Sequence, residues 1–401
     1  MSGPGVLQGP TSRLSLEAPI TTTETNGSGD VATGRLCPIR QTRRGRGMGG
    51  VEKARGGGAE RATSRDVARL AGVSHTAVSF VFNGRAEGNL SAETQEKIRK
   101  AATQLGYRPN AVARGLRRRR TAVIGLVTDE IATSPFAGRL LRGAMDMAWN
   151  SEHLVLTVDS GQDPVAEDAA VAELLDRRVD GIIYAALSLR RARVPEGLHR
   201  TFAVLANCLP EDGSLPAVIP AERAGGRSAA RVLLDAGHRR VALVGGLDDI
   251  ATAERLRGFR DALRAVGLTA EKDWIMRTGG EIAAGYEGAL RLLDRVPADR
   301  RPTGIVCYND RVAAGVLHAA ARLGLDVPAD LSVVGYDDQE HMAAFLSPPL
   351  TTVALPHRAM GEAAARLLLD AIDSGTAPSV TTRRLECPVV MRGSVGPAPS
   401  P

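Results

Sequence analysis

A chain of 401 residues, 43% hydrophobic, 3% aromatic and carrying a formal net charge of +6, is long enough for more than one domain and apolar enough to bury sizeable cores. Its charge is segregated: residues 35–120 hold 20 Lys or Arg against 6 Asp or Glu, and everything from residue 121 onward is net acidic. A basic head beside an acidic body suits a polyanionic partner, and no apolar run reaches the length of a membrane span or a secretion signal.

Residues 1–60, rich in Gly, Thr, Ser and Arg, are expected to form a disordered extension, because this composition buries too little surface to fold. Arg43, Arg44 and Arg46 read either as an accessory basic arm or simply as solvated charge, and Met48 as an alternative start. Residues 61–108 are expected to form a three-helix DNA-binding head. Residues 64–84 spell two short helices around a turn at Gly72, with Ser64 capping the first and Val67, Ala68, Leu70 and Ala71 on its buried face. Ser74 caps the second helix, whose inward side is Ala77, Val78 and Val81. Ser74, His75, Thr76, Ser79 and Phe80 lie nearer the outside, where a recognition helix reads bases. A third helix starts at Ser91, carries an apolar stripe of Ile98, Ala101, Ala102 and Leu105, and stops at Gly106. A small helical bundle that binds no nucleic acid is the plain alternative, and the local charge weighs against it.

Residues 109–120 are expected to form a hinge helix and basic linker. Asn110 is placed to cap a helix over Ala111–Leu116, which with Gly115 inside it is too short to be stable alone, and Arg117–Arg120 follow.

The run Asp66-Val-Ala-Arg-Leu-Ala-Gly-Val-Ser74, then Val78-Ser79, Asn83-Gly84, Leu105-Gly-Tyr-Arg-Pro-Asn110 and Ala113-Arg-Gly-Leu116, resembles the head of the lactose-repressor (LacI/GalR-type) family of transcriptional regulators, and the resemblance continues to about residue 392. It implies DNA contacts at Ser64, Ser74, His75, Thr76, Ala77, Ser79, Phe80, Asn83, Tyr107, Asn110, Ala113, Arg114 and Leu116. Leu116 would wedge into the minor groove at the centre of a palindromic operator bound by a homodimer. Where many members carry Arg in the recognition helix this chain has Phe80, which cannot make the bidentate contact to guanine.

From 121 to 392 the pattern alternates strand and helix. Apolar runs at Thr121–Thr128, Leu154–Asp159, Gly181–Ala185, Phe202–Asn207, Val241–Gly245, Gly304–Tyr308 and Leu331–Gly335 read as buried parallel strands separated by helical stretches. The expected architecture is α/β: two doubly wound parallel sheets forming a two-lobed body like that of periplasmic binding proteins. Ligands of such sheets sit beyond the carboxyl ends of the strands, so a small-molecule effector is expected between the lobes. The resemblance implies effector contacts at Phe136, Asn207, Arg255, Asn309 and Asp337, with Arg255 and Asp337 as polar clamps. Asp310 reads as a cap on the following helix, and Gly279-Gly280 and Ala221 depart from the family pattern, which weakens the case for a standard hexose.

No phosphate-loop lysine, G-x-S-x-G elbow or metal-spaced His pair is present, and Cys37, Cys208, Cys307 and Cys387 are far apart, so neither enzyme chemistry nor a cofactor is expected. His238 reads as a structural hydrogen-bonding residue. The expected function is an effector-controlled transcriptional regulator, most simply a repressor, acting as a cytoplasmic homodimer. The alternative is a solute-binding protein of the periplasmic sugar-receptor type. Residues 393–401 are expected to be a disordered tail without a leucine heptad, and Ala313–Leu323 is one helix offered for a two-fold interface.

Overall fold

The computed structural model describes residues 62–107, 120–130, 138–294 and 296–399. The expectations for residues 1–60, for Asn110, Ala113, Arg114, Leu116 and Arg117–Arg119 of the hinge, and for Phe136 lie outside these.

The head is a three-helix unit: α1 (Ser64–Ala71), α2 (His75–Phe82) and α3 (Ala92–Gln104). Val67, Ala68, Ala77, Val78, Ile98, Ala101 and Ala102 close one small core. Gly72 takes φ +68°, so it accepts the left-handed backbone of the turn without a Cβ penalty. Two local expectations change. Thr63, not Ser64, caps α1, because Thr63 and Asp66 hydrogen-bond each other's backbone N–H in a capping box. Leu70 is 47% exposed, since it sits at the edge of the stripe centred on Val67, Ala68 and Ala71.

The body contains two six-stranded sheets. The first lobe holds β1 (Val123–Thr128), α4 (Gly138–Asn150), β2 (Leu154–Asp159), α5 (Pro164–Asp176), β3 (Ile182–Ala192), β4 (Ala203–Pro210) and β5 (Ala217–Pro220). The second holds α6 (Glu222–Asp235), β6 (Val241–Val244), α7 (Ile250–Ala265), β7 (Ile275–Met276), α8 (Ile282–Leu293), β8 (Gly304–Cys307), α9 (Asp310–Arg322), β9 (Ser332–Asp337) and β10 (Thr351–Ala354). The chain then returns to the first lobe for α10 (His357–Ser374) and β11 (Thr382–Leu385), and ends on the second with β12 (Val389–Val390). Strand orders are β11-β5-β4-β3-β1-β2 and β12-β10-β9-β8-β6-β7, parallel throughout except for β12 against β10. Three crossings between the lobes follow from this order, after β5, after β10 and after β11.

Each sheet is covered on both faces, which is why its central strands are nearly continuous apolar runs. The helices over them pack in pairs through facing glycines: Gly143 with Gly361 between α4 and α10, Gly226 with Gly258 between α6 and α7, and Gly285 with Gly315 between α8 and α9. At each of these six positions a Cβ would collide with the partner helix's backbone.

Three further expectations are corrected. Residues 393–399 are not a loose tail: Ser394 is fully buried, its Oγ donates to the Val333 carbonyl and accepts from the Thr351 N–H, and Ala398 N–H donates to the Ala236 carbonyl. Arg120 is not a free linker cation, for it pairs with Asp373 at 2.7 Å and donates to the carbonyls of Ile372 and Asp373 at the negative end of α10. The helix α9 offers little to a partner, because Val312–Leu317, Ala319 and Ala320 are buried inside their own lobe.

Candidate nucleic-acid interface and effector cleft

In the head, Ser74 caps α2 by accepting from the Ala77 N–H at 3.1 Å. That places His75 and Thr76, both exposed, on the first turn, the part of a recognition helix that meets base edges. Ser64 Oγ lies 2.9 Å from His75 Nε2, so the start of α1 is tied to the start of α2. Ser79 and Phe80 are half-buried one turn on, and Asn83 donates its side-chain amide to the Ser79 carbonyl and Oγ. Two expected DNA contacts turn inward. Ala77 is buried in the three-helix core. Tyr107 packs edge-on against Phe82 with ring centroids 5.5 Å apart, closing that core from below.

In the body, the expected effector residues gather at the carboxyl ends of the two sheets, and most of their hydrogen-bonding capacity is already used. Asn207 on β4 holds a left-handed backbone at φ +56° and donates to the carbonyls of Ala186 and Leu187. Asp337, last residue of β9, has φ +103°. Non-glycine residues held there carry strain, and strain of this kind collects at ligand clamps. Asn309, rather than Asp310, caps α9, accepting from the Val312 N–H while donating to the Gly280 carbonyl. Asp310 instead accepts from the Gln339 N–H and Thr352 Oγ1. Burial pushes its carboxyl up to about 6.

Arg255 is more committed still. Its guanidinium forks onto both Glu222 oxygens at 2.8 and 3.0 Å, donates to the Tyr308 carbonyl at 2.6 Å and lies 3.7 Å from the Tyr336 ring centroid. Asp337 receives only what is left, a 3.5 Å contact. Burial therefore dominates Asp337 and pushes its carboxyl up to about 8, with Arg255 opposing. The two expected clamps are one buried network and not two independent arms.

Sequence reading does not single out Glu222, Asp249, Tyr308 or Tyr336 here, nor Asp129 and Arg190 in the opposite lobe. Asp129 accepts from the Leu187 N–H at 2.8 Å and pairs with Arg190 at 3.3 Å. Tyr308 donates to Asp249, the cap of α7. The available signal for Glu222 is its position just after Ala221, where the chain first crosses between lobes. After β6, Gly245 and Gly246 take φ +95° and +124°; the Gly245 N–H donates to the Met276 carbonyl and Gly246 exchanges backbone hydrogen bonds with Gly279, so neither amide is left to cradle a phosphate. Across the cleft mouth Arg139 of the first lobe meets Glu340 of the second at 3.1 Å. His238 bridges Thr303, Ser332 and the Gly396 carbonyl, holding the chain end to the second lobe.

Among the described residues no group of three or more His, Cys, Asp or Glu is placed to hold a metal ion, and no helix is long and apolar enough to cross a membrane. Cys208, Cys307 and Cys387 are buried and unbonded to one another.

Residues 63–110 match the model for bacterial regulatory proteins of the lacI family, and residues 230–395 match that for the periplasmic binding protein-like domain. The HTH-type transcriptional repressor PurR of Vibrio parahaemolyticus is 34% identical over 317 residues, covering 78% of this chain and 92% of that protein. The ribose operon repressor of Haemophilus influenzae is 31% identical over 336 residues, covering 83% and 98%. Among solved structures, the lac repressor dimer bound to operator and an anti-inducer superposes with a TM-score of 0.68 at 27% identity, covering 84% of this chain and 100% of that one. The chain belongs to the lacI family of bacterial regulatory proteins.

Proposed function

We propose that this protein is a transcriptional repressor that binds a near-palindromic operator as a homodimer and whose operator affinity is set by a small polar metabolite held between its two lobes. The observation that carries the reading is the first turn of α2, where Ser74, His75 and Thr76 stand exposed on a capped, braced helix inside the most basic part of the chain. Ser64, Ser79, Phe80 and Asn83 flank that turn and complete the interface. The hinge residues Asn110, Ala113, Arg114 and Leu116 would follow it into the minor groove. A solute-binding protein without gene control has no use for such a head.

The effector would meet Asp337 and the groups around Asn207 and Asn309, with Phe136 a further contact implied by the family resemblance. Arg255 acts through Asp337 and Glu222 rather than as a free clamp. A ligand that contacts both lobes stabilises one relative arrangement of them, and the paired hinges sense that arrangement through their spacing. Burial pushes the Asp337 carboxyl up to about 8, and a carboxyl that keeps its proton can donate to a sugar oxygen or ring nitrogen of an effector as well as accept from it.

Selection of the full chain on a random duplex library tests the first half of the reading: two half-sites with centres about one helical turn apart, roughly 34 Å, should be enriched. Enrichment of single, unpaired sites, or of none, would sink it. A thermal-shift screen of sugars and nucleobases tests the second half, since a ligand that binds only the native state raises its melting point.

A further inference from the structure

Besides the cleft, the two lobes border a second space, half open to solvent. A cavity of about 730 Å³ lies at the seam where the chain first crosses, walled by β3, β4, β5 and β11 of the first lobe and by the opening turns of α6 and α7 of the second. None of Asn207, Arg255, Asn309 or Asp337 lines it. Its floor is apolar, with Leu189, Leu209, Ile219 and Ile250 among its residues, and its rim carries five arginines: Arg191, Arg223, Arg227, Arg257 and Arg384.

That concentration is unexpected in a body whose net charge is negative. Two of the five are matched by acids, Arg223 by Asp261 at 2.7 Å and Arg257 by Glu254. Arg191, Arg227 and Arg384 make no side-chain hydrogen bond or close ion pair with any described residue, and of the three only Arg227 has a carboxylate, that of Asp261, within electrostatic reach. The one other carboxylate in the wall, Glu222, is turned into the protein and neutralised by Arg255. Like charges gathered around one space repel unless an anion joins them, and guanidinium groups match the oxygens of phosphoryl groups two at a time.

From this we propose a second ligand site, separate from the effector cleft, that takes a small molecule carrying two or more phosphoryl groups on a compact organic body. The volume is that of a small-molecule pocket, the floor accepts the organic part, and the arginines accept the charge. Arg191 and Arg384 stand on the first lobe and Arg227 on the second, so the ligand ties the lobes at the seam as the effector does in the cleft. The site therefore gives the repressor an additional input that biases the same lobe arrangement.

Calorimetric titration of the full chain with tripolyphosphate, in buffer free of other phosphate, tests the site. We expect binding that weakens at least tenfold in Arg227→Gln/Arg384→Gln, since each side chain supplies a charge-assisted hydrogen bond. It should persist unchanged in Lys97→Gln/Lys100→Gln, which removes charge from the head and leaves every arginine of the seam in place. Arg191→Gln provides an independent variant on a different strand and should weaken binding severalfold. The proposal is overturned if tripolyphosphate gives no heat at millimolar concentration, if the head variant loses binding and the cavity variant keeps it, if citrate binds as tightly, or if a poly-glutamate peptide binds more tightly than either. Failure of the cleft reading would show instead as an Asp337→Asn protein that still responds to its metabolite, and would leave this titration untouched.

Discussion

Arg255 and Asp337 differ in what they spend. Arg255 has committed its hydrogen-bonding fork to Glu222 and the Tyr308 carbonyl, so an Arg255→Ala protein strands a buried carboxylate, a loss of about 3–5 kcal/mol by the usual measure of broken buried pairs. Loss of ligand response in that variant would report folding as much as recognition. Asp337→Asn is the cleaner probe, and it carries a pH signature. Its carboxyl sits at about 8 in the folded protein against 3.8 for an ordinary aspartate, so between those values the native state holds a proton that the unfolded chain releases. Stability contributed by the protonated form is complete below pH 4 and is lost as pH rises toward 8. Urea denaturation of wild type and Asp337→Asn between pH 5 and 8 should therefore show the wild type losing more than about 1 kcal/mol relative to the variant as pH rises. A difference that stays constant, or moves the other way, would mean that the Arg255 contact and not burial governs Asp337.

Helices in the body meet through glycines, and this sets how tightly each layer closes. In Gly258 a Cβ would enter the backbone of α6 at Arg223 and Arg227, with no flexible side chain to yield. Gly258→Ala should destabilise by about 2–3 kcal/mol despite alanine's better helix propensity, because the separation of two helices must grow. The exposed helical position Ala253 provides the control, where Ala253→Ser should change stability by less than about 0.5 kcal/mol. The hinge carries a different kind of prediction. If Leu116 wedges open the central base step, Leu116→Ala loses operator preference and keeps its affinity and salt slope on random DNA, because the slope counts phosphates and not bases read. Footprinting and titration on operator and random duplexes measure both, and full preference retained in Leu116→Ala would remove the wedge from the mechanism.

At the scale of the molecule, the surface left for a two-fold partner differs from the one expected from the sequence. The helix α9 is spent inside its lobe, whereas Met145 and Trp149 on α4 and Leu154 and Leu156 on the edge strand β2 leave large apolar side chains in the open. Trp149, at 72% exposure, is the largest of them, and an aromatic anchor of this kind dominates an interface energetically. Sedimentation of Trp149→Glu should show a shift from dimer toward monomer with the fold intact, and operator affinity should fall with it. An unchanged dimer would place the interface elsewhere.

The chain's own order of residues determined the head almost completely, since Gly72, Ser74, Ser91 and the stripe from Ile98 to Ala102 act over one or two turns. It also determined the α/β class of the body, because buried parallel strands such as β1, β6 and β8 are uninterrupted apolar runs. It did not reveal β5, β7, β10, β11 and β12, which are two to four residues long and have no periodicity to read, nor the full reach of β3, where Ser188, Arg190 and Arg191 break the apolar pattern. The helix α10, which packs with α4 over one face of the first sheet, was decided by the chain's return to the first lobe, a crossing that no local signal announces. The same holds for the last residues, which look like a solvated tail until Ser394 is seen bonded to Val333 and Thr351. At the site, the strand-end rule placed Asn309 and Asp337 at the carboxyl edge of the second sheet, whereas Asn207, expected to end its strand, lies inside β4, which runs on to Pro210. Only the tertiary structure decided which polar atoms were already spent, because Glu222 and Arg255 stand 33 positions apart and meet only when two helices pack across Gly226 and Gly258.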